Sequence, residues 1–173
     1  FNITLSSKRK KFKKNNILII LSSNLNETEF IFKLLKNVSD RFDLKKFNFI
    51  IKPHVNTDLK SFLKDNNRYK IAKDTFYNLL LDADIIVSGG TTATIEADIL
   101  NKKIILIGNN DGVTLNPLLK RSVKKIEICY SSKQFVESLK KLSKKKSKEM
   151  INQKLLHSYF VKYNKKYFKN FYK

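Results

Sequence analysis

The sequence predicts an α/β domain, doubly wound around a mostly parallel six-stranded sheet, and three observations predict it. Short β-rich apolar runs recur along the chain with amphipathic helical patterns between them. Three of the runs, ILIIL at 17–21, DIIV at 84–87 and KIILI at 103–107, are almost continuously apolar, as strands buried on both faces of a parallel sheet must be. Glycines and short polar residues follow several runs directly, where a chain turns from strand into helix.

Residues 1–16, FNITLSSKRKKFKKNN, read as a basic lead-in or linker. The first strand is Ile17–Leu21. A helix is expected over Glu27–Val38, with Phe30, Ile31, Leu34, Leu35 and Val38 on one stripe and Asn24 or Asn26 as cap. Phe47–Ile51 is the second strand, Leu59–Lys64 a short helix, and Tyr69–Ala72 the third strand. A helix opens at Asp74, taken as its capping residue, and runs to Leu81. Asp84–Val87 then leads through Gly89 and Gly90 into a helix over Thr92–Leu100. Lys103–Ile107 and Lys125–Cys129 complete the strands, and Ser132–Leu142 follows a Ser-Ser cap. Right-handed crossovers place helices on both faces and predict the Rossmann-like strand order 3-2-1-4-5-6, with ligands at the carboxyl ends of the strands. The domain so defined spans 17–143. Beyond it, 144–173 is basic and aromatic: Leu156, Phe160, Tyr163, Tyr167 and Phe171 share one face of an expected C-terminal helix, which calls for a covering surface.

At 173 residues the chain suits one domain, and a hydrophobic content of 42% is enough for a packed core without staples. Cys129 is the only cysteine, so there is no intrachain disulfide framework and a reducing, cytoplasmic setting is expected. No run approaches the roughly 18 apolar residues of a membrane span, and none reads as a signal peptide. Because the chain opens on Phe1, it is expected to be part of a longer protein.

Its net charge is +21. Only Arg9, Arg41, Arg68 and Arg121 of the 36 basic residues are arginine, the residue that reads phosphates and base edges bidentately, so the makeup of the charge argues against a nucleic-acid partner. Solvated lysine faces are the simpler account. An anionic membrane surface, as at the inner face of a cell membrane, is another partner class the lysines suit.

Candidate chemistry gathers at three strand ends. Ser88, Gly89, Gly90, Thr91 and Thr92 form a tight turn into a helix, whose free N–H groups and hydroxyls suit an anion; an ordinary turn with a threonine cap uses the same residues. Glu96, a turn further on, is placed to accept ribose hydroxyls or simply to be solvated. His54 follows the strand end Ile50-Ile-Lys-Pro, and Ser22 and Ser23 follow the first strand. The predicted order makes these three strands neighbours. One cysteine and two histidines, His54 and His157, do not make a zinc site, no metal is expected, and no GxSxG, HExxH or GxxxxGK[ST] motif occurs.

IIKPH at 50–54 together with LLLDADIIVSGGTTATIEADILNKKIIL at 79–106 resembles the C-terminal domain of GT-B glycosyltransferases, over about residues 17–120. More narrowly it is similar to bacterial capsule, sialyl- and teichoic-acid-type transferases of surface carbohydrate. The resemblance implies that His54 contacts donor phosphate, that Thr91 and Thr92 with Gly89 and Gly90 hold phosphate, and that Glu96 meets the ribose. It implies no cofactor beyond a CMP- or UDP-sugar donor. The acceptor, a carbohydrate, and the catalytic base would belong to an N-terminal domain outside this sequence, which the C-terminal helix would brace. Val55 stands where the pattern usually has proline, and threonines stand for serines. A UDP-sugar 2-epimerase-like domain has the same architecture and is the alternative, with a basic nucleic-acid or membrane-binding module as the third reading.

Overall fold

The computed structural model describes residues 15–41, 43–57, 59, 69–109, 111–114, 116–118, 126–144, 151, 152, 154, 156 and 159. Six strands occur among them: β1 (Asn15–Ile20), β2 (Phe47–Lys52), β3 (Tyr69–Ile71), β4 (Ile85–Ser88), β5 (Lys103–Ile107) and β6 (Ile126–Cys129). Each pairs parallel with its neighbours in the order β3-β2-β1-β4-β5-β6, as the sequence predicts. β1 lies at the centre. Its Ile17 stands opposite Phe49 of β2 and Ile85 of β4.

Alternate residues of the apolar runs enter different cores. Ile17, Ile19, Ile85, Val87 and Ile105 face a cluster built with helix α1 (Leu25–Arg41) and helix α4 (Ser132–Lys144). Leu18, Ile20, Ile86, Ile104 and Leu106 face the other side, against α2 (Phe76–Asp82) and α3 (Ala93–Ile99). Burial on both faces is why these runs show no polar alternation. Each isoleucine or leucine so buried contributes about 2 kcal/mol. Phe135, wholly buried, anchors α4 beside α1.

Local chemistry sets the helix ends. Asn24 Oδ1 accepts the Glu27 N–H at 3.2 Å and caps α1. The cap of α2 is Thr75 rather than Asp74: its hydroxyl accepts the Asn78 N–H at 3.3 Å, while Asp74 bonds the Thr75 N–H at 2.7 Å. α3 stops in a Schellman turn, with Asn101 at φ 58° and the Lys102 N–H reaching Ala97 O at 2.9 Å. β1 starts at Asn15, before the apolar run, because Asn16 is fixed by Asp84.

The short helix expected over Leu59–Lys64 lies outside the described residues apart from Leu59, which is buried. Most of the aromatic C-terminal helix expected from the sequence does too. Of it, Lys154, Leu156 and Tyr159 are helical, and just ahead of it the Asn152 N–H donates to Ile99 O at the end of α3, at 2.8 Å. α4 packs on one face of the sheet and Ile151 on the other. Among the described residues no helix is long and apolar enough to cross a membrane.

Candidate functional site

β1 and β4 are adjacent, yet β1 leads to α1 on one face and β4 to α3 on the other. The two loops therefore diverge and open a crevice at the carboxyl edge, the place where open α/β sheets take ligands.

Three loops meet there. After β1, Ser22 is partly exposed and accepts the Asn24 N–H on its hydroxyl at 3.2 Å, while Ser23 is exposed. After β2, the chain turns at His54, whose carbonyl accepts the Thr57 N–H at 3.0 Å. His54 Nδ1 accepts the Asn56 N–H at 3.3 Å, so in this tautomer the ring proton is on Nε2, a donor on a half-buried side chain. The Thr57 hydroxyl donates to Ser22 O at 3.4 Å and joins the β1 and β2 loops.

After β4, Ser88 is fully buried and its hydroxyl donates to Gly89 O at 3.0 Å, so it holds the turn from inside. Thr91 Oγ1 accepts the Ala93 N–H at 3.3 Å, and Thr91 O accepts the Thr94 hydroxyl at 2.6 Å. Thr92 is exposed at the cap position of α3 and makes no side-chain cap bond. Glu96 is half-buried in the first turn of α3, and burial pushes its carboxyl pKa up.

Glu27, which the sequence does not mark as a site residue, also stands at this edge. Its carboxylate reaches from α1 across the crevice, accepting the Gly90 N–H on Oε2 at 3.1 Å and lying against Gly89. Beside it is a cleft of about 540 Å³, with Asn26 and Lys33 on the α1 wall, Gly90 on the floor, and Asn109 and Asp111 on the β5 loop. That loop is closed on itself: Asn109 Oδ1 accepts the N–H groups of Asp111 at 3.1 Å and Val113 at 2.8 Å. Of the residues singled out in the sequence, Gly90 lines this cleft; the serines, His54, the threonines and Glu96 stand elsewhere along the edge. The only signal for Glu27 was an acidic residue in a helix first turn, where it reads as a complement to the helix dipole. Asn109 belongs to a run, GNND, that signals a turn and no more. Among the described residues no group of three or more His, Cys, Asp or Glu is arranged to hold a metal ion.

No protein-family model matches the sequence, and no curated protein matches it. Solved structures do match in fold. UDP-GlcNAc 2-epimerase of Methanocaldococcus jannaschii, in complex with UDP-GlcNAc and UDP, superposes with a TM-score of 0.57 at 18% identity, over 81% of this chain and 42% of that one. UDP-GlcNAc 2-epimerase from Neisseria meningitidis, bound to UDP-GlcNAc, gives 0.54 at 18% identity, over 74% and 36%. The C-terminal domain of a group 1 glycosyl transferase from Francisella tularensis gives 0.50 at 12% identity and covers 76% of each chain. The fold is GT-B-like. This chain spans about two fifths of the length of the epimerases and three quarters of the isolated transferase domain.

Proposed function

We propose that the chain is the donor-binding half of a glycosyltransferase of bacterial surface-carbohydrate synthesis, and that its carboxyl edge holds a nucleotide-sugar. The observation that carries the reading is the convergence of three donor-rich loops across the switch point, tied by the Thr57–Ser22 and Glu27–Gly90 hydrogen bonds. His54 Nε2 and the hydroxyls of Thr91 and Thr92 would meet the donor's phosphates, with Gly90 allowing close approach, Gly89 leaving room for the Glu27 carboxylate and Ser88 fixing the turn. Ser22 and Ser23 would add donors from the β1 loop. Glu96 would accept from the ribose. No step here uses a cofactor or a metal.

Leu25 at the start of α1, and Val55 and Val113 on the loops after β2 and β5, are large apolar residues exposed at this edge. A second domain of comparable size, carrying the carbohydrate acceptor and the base, would cover them. In this reading the isolated chain binds donor and transfers no sugar. Membrane proximity, at the cytoplasmic face, would draw on the lysines.

Amide-NMR titration with CMP, UDP, GDP and dTDP at moderate salt tests the reading. Localised shifts at Gly89–Thr92 and His54, with one nucleotide preferred, are expected. Equal, diffuse lysine shifts with every polyanion would overturn it in favour of a basic binding module. A second reading, a UDP-sugar 2-epimerase-like domain, is favoured by the fold shared with the M. jannaschii epimerase solved with UDP-GlcNAc. The full-length protein separates the two: an epimerase interconverts its sugar with no acceptor present, and a transferase does not.

A further inference from the structure

Gly89 does not have the positive φ that makes glycine necessary for backbone reasons; among the described glycines that conformation belongs to Gly112. What position 89 lacks is room. A Cβ there would collide with Cδ and both carboxylate oxygens of Glu27. Glu27 in turn is held from two directions. Its N–H is capped by Asn24 Oδ1 at 3.2 Å, and its Oε2 takes the Gly90 N–H at 3.1 Å, from a residue 63 positions away. Its Oε1 is buried with no hydrogen-bond partner among the described residues. A carboxylate oxygen left so is costly, and such groups persist where they serve a purpose other than stability.

We propose that Glu27 is a positioning residue for the edge site: its carboxylate latches the Gly89–Gly90 turn to the start of α1 and so sets where Thr91 and Thr92 stand. The inference rests on the reading of this edge as a nucleotide-sugar site. Its physical basis is that β1 and β4 send their helices to opposite faces, so nothing in the sheet itself ties the two loops together beyond Ile20 and Ser88. The latch spans that gap with one charge-assisted hydrogen bond. It also removes the Gly90 N–H from the set of donors open to a ligand anion, leaving the hydroxyls of Thr91 and Thr92, the next two residues, to do that work.

The test compares wild type, Glu27→Ala, Glu27→Gln and Gly89→Ala. It uses hydrogen exchange at the Gly90 amide, the preferred nucleotide's affinity and the melting temperature. Glu27→Ala is expected to lose Gly90 protection and bind the nucleotide roughly tenfold more weakly, as loss of a charge-assisted hydrogen bond implies. Its melting temperature should stay close to wild type, since an unpaired buried oxygen goes with it. Glu27→Gln keeps an acceptor oxygen and should retain most of both properties, which a general loss of packing would not allow. Gly89→Ala should expel the carboxylate and reproduce Glu27→Ala, and the double variant should be no weaker than either alone. If Glu27→Ala fails to fold, Gly89→Ala carries the same comparison. Affinity unchanged in Glu27→Ala overturns the latch; tighter binding overturns it too, because the carboxylate would then be competing with the ligand for Gly90. Absence of nucleotide binding by the wild type overturns the functional reading and this role with it, and is distinguished because no variant need be made to see it.

Discussion

At the amino edge of the sheet, Asn16 is almost wholly buried and fully engaged. Its N–H donates to Asp84 Oδ2 at 2.9 Å, its side-chain amide to Asp82 O at 3.2 Å, and its Oδ1 accepts from Asn48 at 3.0 Å. Nearby, buried Lys102 donates its ammonium to Leu81 O at 2.7 Å and Ala83 O at 3.1 Å, closing the end of α2. At the carboxyl edge, similar residue types are arranged in the opposite way. Ser23 and Thr92 are exposed, His54 is half-exposed, and Glu27 keeps an oxygen unpaired. One edge has its polar capacity used internally and serves stability. The other holds capacity in reserve, and that is where a ligand can be bound.

Substitutions can break this contrast, and the largest effect is expected at the amino edge. Lys102→Ala removes the donor to two buried carbonyls and should cost about 3 kcal/mol, read from the denaturant midpoint, with the nucleotide titration unmoved. Asn16→Ala opens the network between β1, β2 and β4 and should cost about 2 kcal/mol, again without effect on binding. A loss of nucleotide affinity in either variant at temperatures where it is folded would show that the two edges are coupled.

The carboxyl edge should answer the other way. His54→Ala or Thr92→Val is expected to change stability by no more than about 0.5 kcal/mol and to weaken the nucleotide about tenfold, by titration. The smallest effect concerns pH. Burial raises the Glu96 carboxyl above its ordinary value of 4.5, so the native state holds that proton more tightly than the unfolded chain does. Stability from this group is therefore present at and below the ordinary value and declines as pH rises through the folded-state value, then levels. Glu96→Gln should flatten that decline in a pH series of denaturant midpoints. A curve with the opposite slope in the wild type, abolished by the same substitution, would mean that the carboxylate is stabilised in place.

The strand order was legible because burial on both faces leaves uninterrupted apolar runs such as KIILI, and because right-handed crossovers admit few arrangements of them. The candidate turn at 88–92 was legible for a local reason: two glycines and two threonines after a buried strand are a short-range signal. Cap positions were less so. Asp74 and Thr75 are both good caps in sequence, and the choice of Thr75 depends on where its hydroxyl meets the Asn78 N–H.

By itself the sequence determined the α/β class, the parallel order of the strands, and the neighbourhood of three polar loops, because each follows from hydrophobic period and chain connectivity. Only the tertiary structure decided that Glu27 stands on Gly89 and Gly90, that Ser88 faces inward, and that Asn109 and Asp111 wall a cleft with α1. The physical reason is distance along the chain. Glu27 and Gly90 have no local pattern in common, and their contact exists only because β1 and β4 lie side by side while their helices part to opposite faces.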